Sequence, residues 1–303
     1  SAAGFKDINE AESLSAGDRV YYVNHRKAVY LAVVGSDPLT EGFNGLGAHI
    51  DCPRLDLKQN PLYEDSDLAL FKTHYYGGIK KYQWTTIPLA LHGVVALTSG
   101  ETVDVKIGED ESDPVFLITD LLPHLAAKQQ AKKLSEGVSG EALNIIVGSR
   151  PLDGEDSDPV KKNILKILED KYGIKEEDFA SAEIEAVPAM KARSLGFDRS
   201  MVAGYGQDDR VCSYPALRSI VGMKNPKRTA VCLLADKEEI GSVGNTGMQS
   251  ANFELFIMML LEKTGIVSPY ALQKTFSASN ILSADVTAAF DPTYPDVTFS
   301  KFI

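Results

Sequence analysis

The seven residues Thr229–Ala235 carry no charge, and directly after them the chain turns to Asp236-Lys-Glu-Glu239. So short and uniformly apolar a run reads as a strand buried on both faces, which requires layers above and below a sheet. Ligands of open α/β sheets gather at the carboxyl ends of the strands. Here that end carries two adjacent glutamates, then Ile240, Gly241 and Ser242. Extended backbone sends neighbouring side chains to opposite faces. Glu238 and Glu239 are therefore expected to do different jobs, one holding a metal while the other faces a water on it. Taken alone, the pair reads more readily as a charged strand exit into solvent.

Composition narrows the classes. The chain has 303 residues, 44% hydrophobic and 24% charged, which suits a folded protein of two domains. A net charge of −11 leaves no surplus of lysine and arginine for phosphates, so a nucleic-acid partner is not expected. Cys52, Cys212 and Cys232 are scattered without a C-x-x-C spacing, and reduced thiols in a cytoplasmic protein are expected. No apolar run is long enough for a membrane span and no signal peptide is evident. The opening Ser1-Ala-Ala-Gly-Phe5 reads as the middle of a longer chain.

In chain order, residues 19–23 and 28–34 form a strand pair around a polar turn, and residues 45–51 form a third strand ending in His49-Ile-Asp51. Two residues apart on a strand, His49 and Asp51 share a face, as when a carboxylate orients a metal-binding imidazole; a hydrogen-bonded structural histidine gives the same pattern. The stretch Thr73–Trp84 gathers aromatic, basic and glycine residues and fits either the lining of a cleft or a surface turn. Strands follow between 88 and 106, and residues 108–182 become acidic and helical. Asp158-Pro159 opens one helix, with Asp158 as cap and Gly173 beyond its end. Strand patterns resume at Glu183–Met190, which suggests that residues 94–193 are inserted into a domain made of 1–93 and 194–303. Asp208-Asp209 precedes a helix over 211–221, one carboxylate capping it and the other free for a cleft. Residues 250–264 form a core-like helix, and Ile281–Val286 carries a last acid, Asp285.

Four separated places thus offer a ligand at an element end: His49, Asp208, Glu239 and Asp285. One imidazole and three carboxylates suit Zn²⁺, Mn²⁺ or Co²⁺, and a paired-metal hydrolase needs one bridging carboxylate and a flanking base. Spacing does not separate a metallopeptidase from a metallophosphatase.

The segments Gly47–Lys58, Lys72–Trp84, Gln207-Asp-Asp-Arg210, Asp236–Ser242 and Ser283-Ala-Asp-Val286 resemble the M18 metallo-aminopeptidases, most closely the bacterial relatives of aspartyl aminopeptidase. The resemblance runs through nearly the whole chain in order. It implies a mixed-sheet α/β/α sandwich as the zinc-peptidase catalytic domain, with an inserted, smaller, β-rich dimerisation or lid domain. It also implies removal of amino-terminal residues from peptides with a free amino end. By position, His49 matches a zinc ligand and Asp51 the aspartate supporting it. Asp208, rather than Asp209, matches the carboxylate bridging two metals. Glu238 matches the general base, Glu239 a metal ligand, and Asp285 a ligand of the other metal. His124 matches a histidine of the insert that reaches a neighbouring subunit's active site. Two Zn²⁺ per subunit and a dimer-based homo-oligomer, commonly a dodecamer, follow from the same resemblance. An acidic substrate preference would call for a cationic pocket, for which Arg54, Lys80 and Lys81 stand near the right motifs or else face solvent. The family's final histidine ligand, in a Met-His-Ser-Pro-like context, is not in this sequence, and Pro295–Ser300 looks shortened. A piece of a longer enzyme is therefore expected. The other readings are an inactive assembly subunit and a different paired-metal hydrolase, such as a deacylase or carboxypeptidase.

Overall fold

The computed structural model describes residues 3–297, so Ser1, Ala2 and the end of the Pro295–Ser300 tract lie outside the described residues. The chain divides into two compact units. One holds the described residues up to Cys52 and from Gly206 onward, and the other is Pro53–Tyr205.

The first unit is built on a six-stranded mixed sheet. Its spatial order is Lys6–Asp7, Arg19–Asn24, Ala28–Val33, Thr229–Ala235, Phe43–His49, Asn280–Ser283. Thr229–Ala235 is central and buried along its whole length. Alternation splits its side chains between two cores. Val231 and Leu233 pack with Phe253, Phe256, Ile257 and Leu260 of the helix Asn252–Lys263. Cys232 and Leu234 pack with Ala216 and Ile220 of the helix Gln207–Gly222. The expected sandwich is what the unit forms. Thr229–Ala235 runs parallel to Phe43–His49, which runs parallel to Asn280–Ser283, so three strands end on the same side.

Burial pushes the Cys232 thiol up to about 12, and Cys52 is also buried. Cys212 is pushed up to about 11 by the Asp209 carboxylate beside it and by burial. Because the thiolate is the nucleophile, a thiol-reactive reagent at pH 8 should leave Cys52 and Cys232 unlabelled in the native protein and label all three cysteines after denaturation. Rapid native labelling of Cys232, read by peptide mapping, would contradict this packing.

The second unit is a six-stranded antiparallel sheet in the order Thr102–Ile107, Leu89–Ala96, Ala182–Pro188, Arg54–Asp65, Leu68–Tyr76, Ile145–Gly148. The helix Pro159–Tyr172 packs on it through Val160, Ile164, Leu165 and Leu168. The contact boundaries thus fall at 52/53 and 205/206, not at the expected 93/94 and 193/194. The physical reason is pairing. Arg54–Asp65 and Leu68–Tyr76 form a hairpin whose next neighbour is Ala182–Pro188, so those early strands share a sheet with the late one. Asp158 does not cap its helix; it sits in the left-handed region with no side-chain cap bond, and Glu64 from the hairpin accepts from the Lys161 N–H at 2.9 Å. Gly173 ends the helix as expected, at φ 70°. No helix among the described residues is long and apolar enough to cross a membrane.

Candidate metal centre

His49 closes the strand Phe43–His49 and pairs in register with Ala235, the last residue of the central strand. Asp285 follows two residues after Ser283, which ends the neighbouring strand. The shared carboxyl edge therefore collects His49, the 236–239 segment and Asp285. The helix Gln207–Gly222 adds Asp208 and Asp209 at its entry, where both residues are non-helical and the bond joining them is cis. Neither side chain caps the helix; Gly206 occupies the cap position at φ 78°. Only glycine fits there, because a Cβ would lie 2.9 Å from Cys52 Sγ.

The imidazole of His49 is 3% exposed, and Nε2 faces a ring of carboxylates: Asp208 Oδ1 at 3.3 Å, Glu238 Oε2 at 3.7 Å and Asp285 Oδ1 at 4.0 Å. Donor atoms of His49, Asp208 and Glu239 lie within 4.8 Å of one another, and so do those of His49, Asp209 and Asp285. On the other side of the ring, Nδ1 lies 3.0 Å from the Asp51 carbonyl oxygen and 3.3 Å from its Oδ1. With Nδ1–H donating to Asp51, Nε2 presents its lone pair to the carboxylates.

Asp51 also does a second job. Its two carboxylate oxygens accept the backbone N–H groups of Glu238 and Glu239, each at 3.2 Å. These glutamates are not extended, as the sequence suggested, but lie in the 3-10 turn Glu238–Ile240 between left-handed Lys237 and Gly241. Such a turn has three residues per revolution, so adjacent side chains still diverge. Asp236, just before, is buried and accepts the Thr246 hydroxyl at 2.5 Å.

The electrostatics suit a cation. Burial raises the Glu239 pKa, and the Asp208 carboxylate adds to the rise. Burial opposes the charged form of His49, yet the Asp51 and Glu238 carboxylates outweigh it and raise its pKa. Asp209 is fully buried, and its Oδ1 has no hydrogen-bond partner. A buried carboxylate oxygen left like this is costly unless positive charge is close by. One neutral imidazole nitrogen and several carboxylates form a donor set for zinc.

The structure thus brings together His49, Asp51, Asp208, Glu238, Glu239 and Asp285. His124 belongs to the second unit, exposed in a turn over residues 123–125. The Arg54 guanidinium is already engaged, pairing with Asp56 at 2.9 Å and Glu185 at 3.1 Å over the Tyr76 ring. Lys80 is exposed and Lys81 half-buried. Sequence reasoning set Asp209 aside in favour of Asp208 and passed over Ser213, whose place in the first turns of the helix after the Asp208-Asp209 pair was the available signal.

The family description "Aminopeptidase I zinc metalloprotease (M18)" matches residues 1–301. The chain belongs to the M18 peptidase family. This M18 chain is 54% identical over 300 residues to a probable M18 family aminopeptidase 1 of Clostridium acetobutylicum, covering 97% of this chain and 64% of that one. The solved M18 aminopeptidase of Thermotoga maritima matches with a TM-score of 0.92 at 46% identity, over 97% of this chain and 65% of that one. Aminopeptidase I of Clostridium acetobutylicum matches with a TM-score of 0.89 at 52% identity, over 97% of this chain and 64% of that one. The M18 chain therefore spans slightly less than two thirds of the length of these relatives.

Proposed function

We propose that the intact protein is a zinc-dependent aminopeptidase that removes the first residue of peptides with a free amino end. The observation that carries this reading is the convergence of one buried imidazole with carboxylates from three other segments at the shared carboxyl edge of parallel strands. His49, Asp208, Glu239 and Asp285 would hold the metal, Asp208 being the carboxylate shared in a two-metal site; Co²⁺ and Mn²⁺ suit the same oxygen-rich set. Zinc held there would supply Lewis acidity to the attacking water and the scissile carbonyl. Glu238, half exposed at the rim, accepts the proton of that water and returns it to the leaving amine. Asp51 keeps Glu238, Glu239 and His49 in mutual alignment through its carboxylate.

A homo-oligomer located in the cytoplasm completes the proposal, with the second unit as its dimerisation or lid domain. The exposed leucines around His124 support this part: Leu121, Leu122 and Leu125 are 53%, 61% and 69% exposed, a density of apolar surface typical of contacts. In the assembly His124 reaches a neighbour's centre and steadies the oxyanion.

The test uses the full-length protein. Elemental analysis should find zinc, aminoacyl p-nitroanilides should be hydrolysed, and a chelator should abolish turnover until zinc is restored. Zinc-loaded protein without hydrolysis would indicate an assembly subunit. Preference for N-acylated or carboxyl-terminal substrates would indicate a deacylase or carboxypeptidase. Either outcome overturns the proposal.

A further inference from the structure

We propose that Asp209 and Ser213 are positioning residues that clamp the main chain of His49 and thereby aim its imidazole at the metal. The inference rests on the reading of His49 as a zinc ligand. It begins with an accounting of backbone hydrogen bonds. In a parallel sheet, alternate residues direct their N–H and C=O groups to opposite neighbours. Gly47 faces the strand Asn280–Ser283, since its carbonyl accepts the Ala284 N–H at 2.8 Å. Ile50 faces the other way, its N–H donating to the Ala235 carbonyl at 2.8 Å. His49, two residues after Gly47, therefore faces the side on which the strand pairing has already stopped at Ser283.

At 3% exposure its two backbone groups are out of reach of bulk water, and unpaired they would be costly. The helix Gln207–Gly222 supplies both partners. Asp209 Oδ2 accepts the His49 N–H at 3.3 Å, and the Ser213 hydroxyl donates to the His49 carbonyl at 2.7 Å. Both side chains are buried, Asp209 at 0% and Ser213 at 6% exposure. With Asp51 on Nδ1, the histidine is held at three points, and Nε2 alone is left for the metal. The clamp also explains why Asp209 differs in role from Asp208. One of its oxygens is committed to the backbone of the ligand, while Asp208 is more than half exposed on the open side of the ring.

The experiment measures zinc affinity by chelator competition in full-length protein, beside thermal unfolding of the metal-free form. Ser213→Ala and Asp209→Ala should each weaken zinc binding about 10- to 100-fold, the range for partners that orient a metal ligand. Ser213→Thr, which keeps the hydroxyl, should restore most of it. Asp209→Asn, whose amide oxygen still accepts from His49, should lose less than Asp208→Asn. Excess zinc should return kcat in the serine variant. Wild-type affinity in a folded Ser213→Ala protein overturns the clamp, as does an Asp209→Asn loss equal to that of Asp208→Asn. Absence of zinc binding in the wild type overturns the site reading itself, which keeps the two failures separate.

Discussion

Glu238→Gln in the intact protein is expected to lower kcat by about 10²- to 10⁴-fold, the usual contribution of a general base, while bound zinc is retained. Glutamine has the same shape and cannot take a proton. The backbone N–H at 238 would still donate to Asp51, so the turn keeps its anchor. Glu239, not Glu238, shares the donor cluster of His49 and Asp208, which is why metal should stay. An interaction needed only in the transition state lowers kcat and kcat/KM together. Wild-type kcat at full zinc occupancy would show that the base lies elsewhere, and loss of zinc would show that Glu238 is a ligand.

Arg54→Ala is expected to destabilise the second unit by about 3 kcal/mol, near the lower end for breaking a buried pair because the partner carboxylates retain some exposure. The Arg54 side chain is 10% exposed, and it joins Asp56 on its own strand to Glu185 on the next. Its guanidinium centre also lies 3.7 Å from the centroid of the Tyr76 ring, on the opposite neighbour. One cation thus ties three strands, and alanine leaves two facing carboxylates without it. Arg54→Lys should recover only part of the loss, because an ammonium does not match the planar fork or stack as well. Urea unfolding followed by circular dichroism gives the number. A change below about 1 kcal/mol would place this network among ordinary surface pairs.

That the candidate ligands converge was legible in the sequence, and the reason is local. His49, Asp208, Glu239 and Asp285 each stand where an apolar or turn-rich segment ends, and strand ends are where a parallel sheet presents its ligands. The burial of Thr229–Ala235 was likewise written in its composition. What escaped depended on partners far away in sequence. Asp158 has the composition of a helix cap, yet Glu64, 97 positions from Lys161, takes that role. Residues 182–188 have strand character, but nothing local says that they join the sheet of Arg54–Asp65 and Leu89–Ala96. Arg54 looked available for a substrate until its carboxylate neighbours came from two strands. Glu238 and Glu239 were given the right divergence for the wrong backbone, because the Asp51 carboxylate that gathers both N–H groups lies 187 and 188 positions upstream.

That last distance bears on biosynthesis. The imidazole at position 49 waits for acids encoded beyond position 205, with the residues of a whole compact unit encoded in between. The intervening unit has local pairings of its own and is free to condense on the ribosome, whereas the cluster of one imidazole and its acids, as a set of very long-range contacts, closes late. Until Asp285 emerges, the nascent chain offers an ion only fragments of a grip.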